Sequence, residues 1–209
     1  MESDKYICVA DQGADGSTTV VMIDLENNNN ITRKPMKAEG ALMNPVENVI
    51  ALKGKNEGTA GHFLQIFNLD TKAKLGMHQF TEQVIFWRWL NENKIAVVTE
   101  RMVYHWDVTP GTSNSPEKIF DRANKLAEAS TQIINYSVSN DNKWCLLTGL
   151  TTPDGGRTID GQMQLYNTEL KATQALEGHA GAFGEVQLAD DGPPSCILSF
   201  SERKSGTTS

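Results

Sequence analysis

Four strand-like segments recur along the chain at nearly constant spacing. Lys5-Tyr-Ile-Cys-Val-Ala, Asn48-Val-Ile-Ala-Leu-Lys, Lys94-Ile-Ala-Val-Val-Thr and Lys143-Trp-Cys-Leu-Leu-Thr start 43, 46 and 49 residues apart. Each is followed by a second strand with its own signature, a large apolar or aromatic residue before Asp or Asn. These strands are Met22-Ile-Asp-Leu-Glu, Gln65-Ile-Phe-Asn-Leu-Asp, Tyr104-His-Trp-Asp-Val-Thr and Gln164-Leu-Tyr-Asn-Thr-Glu. The apolar residues end a strand, and Asp24, Asn68, Asp107 and Asn167 open a turn through side chain–backbone hydrogen bonds. A weaker third strand follows, as in Lys74-Leu-Gly-Met-His and Glu117-Lys-Ile-Phe-Asp. A further apolar stretch precedes three later repeats: Val84-Ile-Phe-Trp-Arg-Trp, Ile133-Ile-Asn-Tyr-Ser-Val and Val186-Gln-Leu. About four strands in ~45 residues is the period of a β-propeller blade. Only residues 122–130 have a helix-forming composition, which predicts a short helical turn between blades.

The predicted fold class is therefore all-β, a β-propeller of four-stranded blades. Four units are counted, the first incomplete, with a fifth beginning at Cys196-Ile-Leu-Ser-Phe. A propeller closes on itself to hide its edges, and no closing strand is evident. The expectation is an incomplete arc of about four blades, truncated at both ends and forming one domain over residues 1–209. Blades without a neighbour lose an interface, so such an arc is expected to be marginally stable and prone to self-association. The loops at 26–30, 54–61, 109–116 and 151–156 are polar or rich in Gly and Pro. None reads as a linker between domains.

The formal net charge of −7 gives no electrostatic reason to expect nucleic acid. Phe86-Trp-Arg-Trp alternates, with Phe86 and Arg88 on one face and Trp87 and Trp89 on the other, and reads as core between blades. Cys8, Cys145 and Cys196 form no CxxC pair and sit in apolar runs, as buried thiols of a reducing compartment do. No apolar run reaches the length of a membrane span, and the first residues do not form a signal peptide. His62, His78, His105 and His179 lie in separate segments without metal-ligand spacing. There is no nucleophile elbow, P-loop or dinucleotide fingerprint. The expected protein is no enzyme and holds no cofactor or metal.

One charge contrast remains. Arg33, Lys34 and Lys37 cluster without an acid among them, and Lys72 and Lys74 fall in the matching region of the next unit. Ile50 and Phe67 would lie between these strands. The pattern admits two readings. One is a solvated lysine-rich edge that deters aggregation. The other is a groove for a short peptide that is both apolar and acidic.

From Met1-Glu-Ser-Asp-Lys-Tyr-Ile-Cys onward, the chain resembles the amino-terminal propeller of the clathrin heavy chain family. Met43-Asn-Pro, Leu64-Gln-Ile-Phe-Asn, Phe86-Trp-Arg-Trp, Val103-Tyr-His-Trp, Ile119-Phe-Asp-Arg, Gln132-Ile-Ile-Asn-Tyr, Met163-Gln-Leu-Tyr and Glu177-Gly-His-Ala carry the resemblance in the family's order. It implies part of a seven-bladed propeller that docks adaptor and accessory proteins as coated vesicles form. Met1 would fall inside the first blade, and the later blades and helical leg would be missing. Localisation would be cytoplasmic, at coated pits and vesicles of the plasma membrane and trans-Golgi network. Clathrin light chain would be reached only through the leg. Direct membrane insertion is not expected.

The resemblance also implies a peptide site of Lys34, Ile50, Gln65, Phe67, Lys72 and Lys74, for an extended motif of apolar residues ending in an acid. Lys34 stands where the family commonly has Arg, keeping the charge without the bidentate fork. The turn at 54–61 is longer than the family's, and Phe63 replaces a small polar residue. A second, incomplete site would use Gln132, Ile134 and Leu150. A third would retain Trp144 and Gln174, but Leu170 replaces its Arg. The alternatives are a purely structural propeller scaffold and an enzyme working in the central channel.

Overall fold

The computed structural model describes residues 3, 5–14, 18–35, 38–56, 58–109, 111, 115–153, 156, 158–188 and 192–203. Among them lie 17 strands and one helix of four residues. The first sheet has three strands, β1 (Tyr6–Gln12), β2 (Thr18–Asp24) and β3 (Asn30–Pro35). The second has four: β4 (Gly40–Met43), β5 (Val49–Lys55), β6 (His62–Asn68) and β7 (Ala73–Gln79). The third also has four: β8 (Val84–Trp89), β9 (Lys94–Thr99), β10 (Met102–Asp107) and β11 (Glu117–Asp121). After the helical turn α1 (Asn124–Ala127) comes a fourth sheet: β12 (Gln132–Val138), β13 (Trp144–Thr151), β14 (Asp160–Asn167) and β15 (Ala172–Glu177). β16 (Ala180–Val186) and β17 (Ser195–Ser201) pair as a fifth, two-stranded sheet. The strands follow one another in antiparallel meanders. The chain divides into two compact units, Met1–Lys118 and Ile119–Ser209.

Local chemistry sets the ends of the blades. The carboxylate of Asp24 accepts the N–H of Glu26, and that of Asp107 the N–H of Thr109. The Asn68 side chain accepts the N–H groups of Asp70 and Thr71, and Asn167 those of Glu169 and Leu170. These are the turns that the Asp/Asn signature predicts. Four residues after that signature the backbone turns left-handed in three units, at Asn28, Lys72 and Lys171, with φ of 52°, 57° and 53°. Asn tolerates this conformation, whereas Lys adopts it at some cost.

Strand alternation lets one sheet serve two interfaces. In β5, Val49 and Ala51 join the cluster formed with the third sheet. That cluster includes Leu64, Ile66, Trp89, Ile95, Val97 and Trp106. Ile50 and Leu52 face the other way and pack with Val20, Met22, Ala38 and Met43. Trp89 is buried and Trp87 packs against the same cluster, so this pair belongs to the core. In the second unit Ile133, Tyr136, Cys145, Leu146, Leu147 and Met163 are buried. Gln164 is buried too, and it donates to the Asp121 carbonyl and accepts the Ala123 N–H, holding the approach to α1 against β14.

Two strands differ from the sequence expectation. β4 was not expected. It has four residues, too few to show a period. The expected strand at Val186-Gln-Leu instead ends at Val186 and begins at Ala180. Its Ala-Gly-Ala-Phe-Gly composition has low intrinsic β-propensity, and pairing with β17 determines it. No helix among the described residues is long and apolar enough to cross a membrane.

Candidate functional site

A groove of about 460 Å³ opens between the first and second sheets. It is lined by Lys34, Leu52, Phe63, Gln65, Phe67, Asn68, Leu69 and Lys72. β6 supplies its wall by alternation. Leu64 and Ile66 are fully buried on one face, and Phe63, Gln65 and Phe67 are half-buried on the other. Phe67 and Leu69 pack against the core shared by the two sheets, so each has one side in the core and one in the groove. Gln65 Nε2 lies 3.5 Å from Met77 Sδ. Lys34 comes from β3, where it pairs with buried Val20. Lys72 comes from the β6–β7 turn fixed by Asn68. The floor is apolar and cations stand at its edge.

Of the six residues expected at this site, Lys34, Gln65, Phe67 and Lys72 line the one groove. Lys74 does not line it. A bulge between Ile66 and Phe67 makes Lys74 the ladder partner of Phe67, on the same face of the sheet, but Lys74 stands exposed on the outer strand β7, outside the lining. Ile50 does not reach the groove either: its exposure is 0%. Val20, Met22 and Met43 pack around it, so it is core, and Leu52, two residues on along the same face, takes the place at the groove. Leu52, Asn68 and Leu69 were not expected. The i, i+2 alternation from Ile50 was the signal available for Leu52. Arg33 is exposed on β3, and Lys37 lies outside the described residues.

Phe63 lies at the end of the groove away from Lys72. Its ladder partner is Gly54, and a Cβ on Gly54 would fall 2.4 Å from Phe63 Cζ. The ring therefore lies directly over the glycine backbone. Next to it, buried His62 ties β6 to the third sheet. Its Nδ1 accepts the Val84 N–H at 2.8 Å, and its Nε2 stands 3.3 Å from Glu39 Oε2. This geometry fits a neutral imidazole protonated on Nε2. Burial, helped by the Lys53 charge, lowers the His62 pKa against the opposing pull of Glu39. The hydrogen bond from Lys55 leads in holding the Glu39 carboxyl below its usual range.

In the second unit Gln132 and Leu150 are ladder partners, and Ile134 sits in a bulge with 37% exposure. Of these three, Leu150 lines a polar cavity of about 680 Å³, with Lys125, Asp160, Glu177 and Arg203 among its other walls. Trp144 is half-buried, Gln174 is exposed, and Leu170 is 75% exposed. Among the described residues no three His, Cys, Asp or Glu side chains gather as metal ligands would.

No family model matches the chain. Clathrin heavy chain 1 of Arabidopsis thaliana is 40% identical over 205 residues, which cover 97% of this chain and 12% of that protein. Probable clathrin heavy chain 1 of Caenorhabditis elegans is 41% identical over 201 residues, covering 96% of this chain and 11% of that one. Clathrin heavy chain 2 of Homo sapiens is 39% identical over 203 residues, covering 97% and 12%. The chain thus spans about an eighth of the length of these relatives. Among solved structures, the β-propeller domain of the Trilobed protease from Pyrococcus furiosus matches with a TM-score of 0.51 at 14% identity, covering 87% of this chain and 55% of that one. The N-terminal domain of Nup159 matches with a TM-score of 0.50 at 12% identity, covering 96% and 56%. At such identities these two speak for the fold alone, a β-propeller. Shared residues at about two positions in five, along nearly the whole chain and in relatives from plants and animals, make the chain a homologue of the amino-terminal region of clathrin heavy chains.

Proposed function

We propose that the chain is a peptide-docking module of a clathrin coat, without catalytic activity of its own. The observation that carries this reading is the groove itself. Lys34 and Lys72, from two different sheets, flank one apolar floor made by Leu52, Phe67 and Leu69. A short extended peptide with apolar side chains and an acid matches it. The side chains leave water against Phe67 and Leu69, and the acid meets a lysine. The occupants proposed are segments of adaptor and accessory proteins, which would bring the chain to the cytosolic face of coated membranes. Gln132, Ile134 and Leu150 are proposed as part of a secondary contact.

The test is a titration of a labelled Leu-Ile-Ala-Phe-Asp peptide, with Phe67→Ala as the control. A partly buried aromatic anchor at a binding site is worth about 2 kcal/mol. The variant is expected to bind roughly thirtyfold more weakly. Equal binding by both chains, or no binding by the unaltered chain, would refute the reading.

A further inference from the structure

The far end of the groove carries chemistry that an apolar-plus-acidic motif seated on Phe67 does not use. Phe63 and Phe67 are four residues apart on one face of β6, with Gln65 between them, and all three line the groove. At ~3.3 Å per residue the two rings stand about 13 Å apart along the strand. An extended peptide lying along β6 has the same rise, so its side chains at i and i+4 share a face and meet both rings. Its side chain at i+2 meets Gln65.

We propose that Phe63 is a specificity-determining residue, forming a second apolar subsite that selects ligands with a large apolar side chain four positions from the one seated on Phe67. The inference rests on the reading of the groove as a peptide site and adds a demand on sequence beyond the acid and the first apolar residues.

Three features make Phe63 a fixed surface. Gly54 opposite leaves no side chain beneath the ring, so the ring lies down on the backbone and presents its other face to the groove. Gly54 is itself buried. The preceding residue, His62, is anchored at both ring nitrogens, to the Val84 N–H and to Glu39, which holds the start of β6 in place. A subsite whose supports are locked loses little on binding.

The experiment is a positional scan on the full 209-residue chain. Synthetic peptides built on Leu-Ile-Ala-Phe-Asp carry Leu or Ala at each flanking position, and each is titrated against the unaltered chain and the Phe63→Ser, Phe63→Leu, Gly54→Ala and Phe67→Ala variants. In the unaltered chain Leu is expected to exceed Ala at one flanking position by about tenfold, the worth of one well-buried apolar side chain. Phe63→Ser is expected to abolish that gain and Phe63→Leu to keep part of it. Gly54→Ala, which displaces the ring without removing it, is expected to reduce it. Phe67→Ala is expected to weaken every peptide alike. Should Phe63→Ser fail to fold, the Leu and Gly54 variants carry the comparison. A flat scan in the unaltered chain, or the same gain in all the Phe63 and Gly54 variants, would overturn the subsite while leaving the groove reading intact. Absence of any binding to the unaltered chain would overturn both.

Discussion

Ile50 is where packing and ligand contact predict different outcomes for one substitution. Replacing it by Ala removes three carbons from a side chain with 0% exposure, enclosed by Val20, Met22 and Met43. At about 0.8 kcal/mol per buried carbon group the transfer loss is about 2.4 kcal/mol. The cavity adds to it, because Val20 on the facing sheet and Phe67 on the next strand are held by their own ladders. A total of about 3–4 kcal/mol is expected, inside the range of ~2–5 found for such truncations. For a chain of this size each kcal/mol lowers the melting midpoint by about 2–4 °C, so Ile50→Ala is expected to melt roughly 6–16 °C early. Ile50→Val, missing one carbon, should cost about 1 kcal/mol. Thermal melts followed by circular dichroism give the midpoints, and peptide titration well below the transition gives the affinity. The structure expects stability to fall steeply and affinity to change less than in Phe67→Ala. An Ile50→Ala chain that melts with the unaltered protein yet binds peptide weakly would refute the reasoning, since residue 50 would then touch ligand.

Lys72 combines a left-handed backbone with a charge at the groove. Lys72→Asn is expected to hold or raise stability by up to about 1 kcal/mol while weakening acidic peptides, by a factor that shrinks as salt rises; denaturant melts and titrations at two salt concentrations check both. His62 has a folded-state pKa below its unfolded value of about 6.5. The unfolded chain therefore binds more protons in that window. Stability from this site is present above about pH 6.5 and is lost as pH falls toward the folded pKa. His62→Gln is expected to flatten the dependence of denaturation midpoint on pH between 5 and 7, leaving the part due to His78, whose pKa burial lowers, and to His105, whose pKa burial lowers to about 4. Gly61→Ala would place a Cβ 2.0 Å from the Phe80 carbonyl oxygen, a backbone atom that cannot swing aside. It is expected to destabilise by about 2 kcal/mol or more, and by more than Gly40→Ala, where the nearest neighbour is a side chain, the Trp87 ring at 3.3 Å, rather than backbone.

The frame of the molecule was legible because its punctuation is local. Asp24, Asn68, Asp107 and Asn167 each bond backbone groups two or three residues on, so the sequence around them carries the whole cause of the turn. β8, β9 and β11 coincide with the segments 84–89, 94–99 and 117–121 read from the sequence as strands. The groove was less legible because its depth is set from outside the strand that bears it. Ile50 and Leu52 share a face of β5 and both are buried with Val20, Met22 and Met43, and only the packing from those neighbouring strands leaves Leu52, not Ile50, an edge at the groove. The bulge at Ile66/Phe67 pairs Lys74 with Phe67 and turns it to the groove-side face of the sheet, and no residue there announces it. Phe63 could be noticed as large and apolar. Its lie over Gly54 needed the register of β5 against β6.

All the ladders among the described strands join elements that are neighbours in sequence, from β1–β2 through β16–β17. Contacts of this kind close short loops, so little chain entropy is lost before pairing begins. On a ribosome the consequence is an order of events. Each meander has its full complement of backbone partners once its own residues have emerged, and it waits for the next sheet only to cover its second apolar face. The interval between one sheet and the next, at roughly 5–20 residues per second, is a few seconds. During that interval Val49, Ala51, Leu64 and Ile66 of the second sheet have no third sheet to cover them. Between the completion of β7 and the arrival of β10 the newborn chain therefore exposes an apolar face of the kind that chaperones cover.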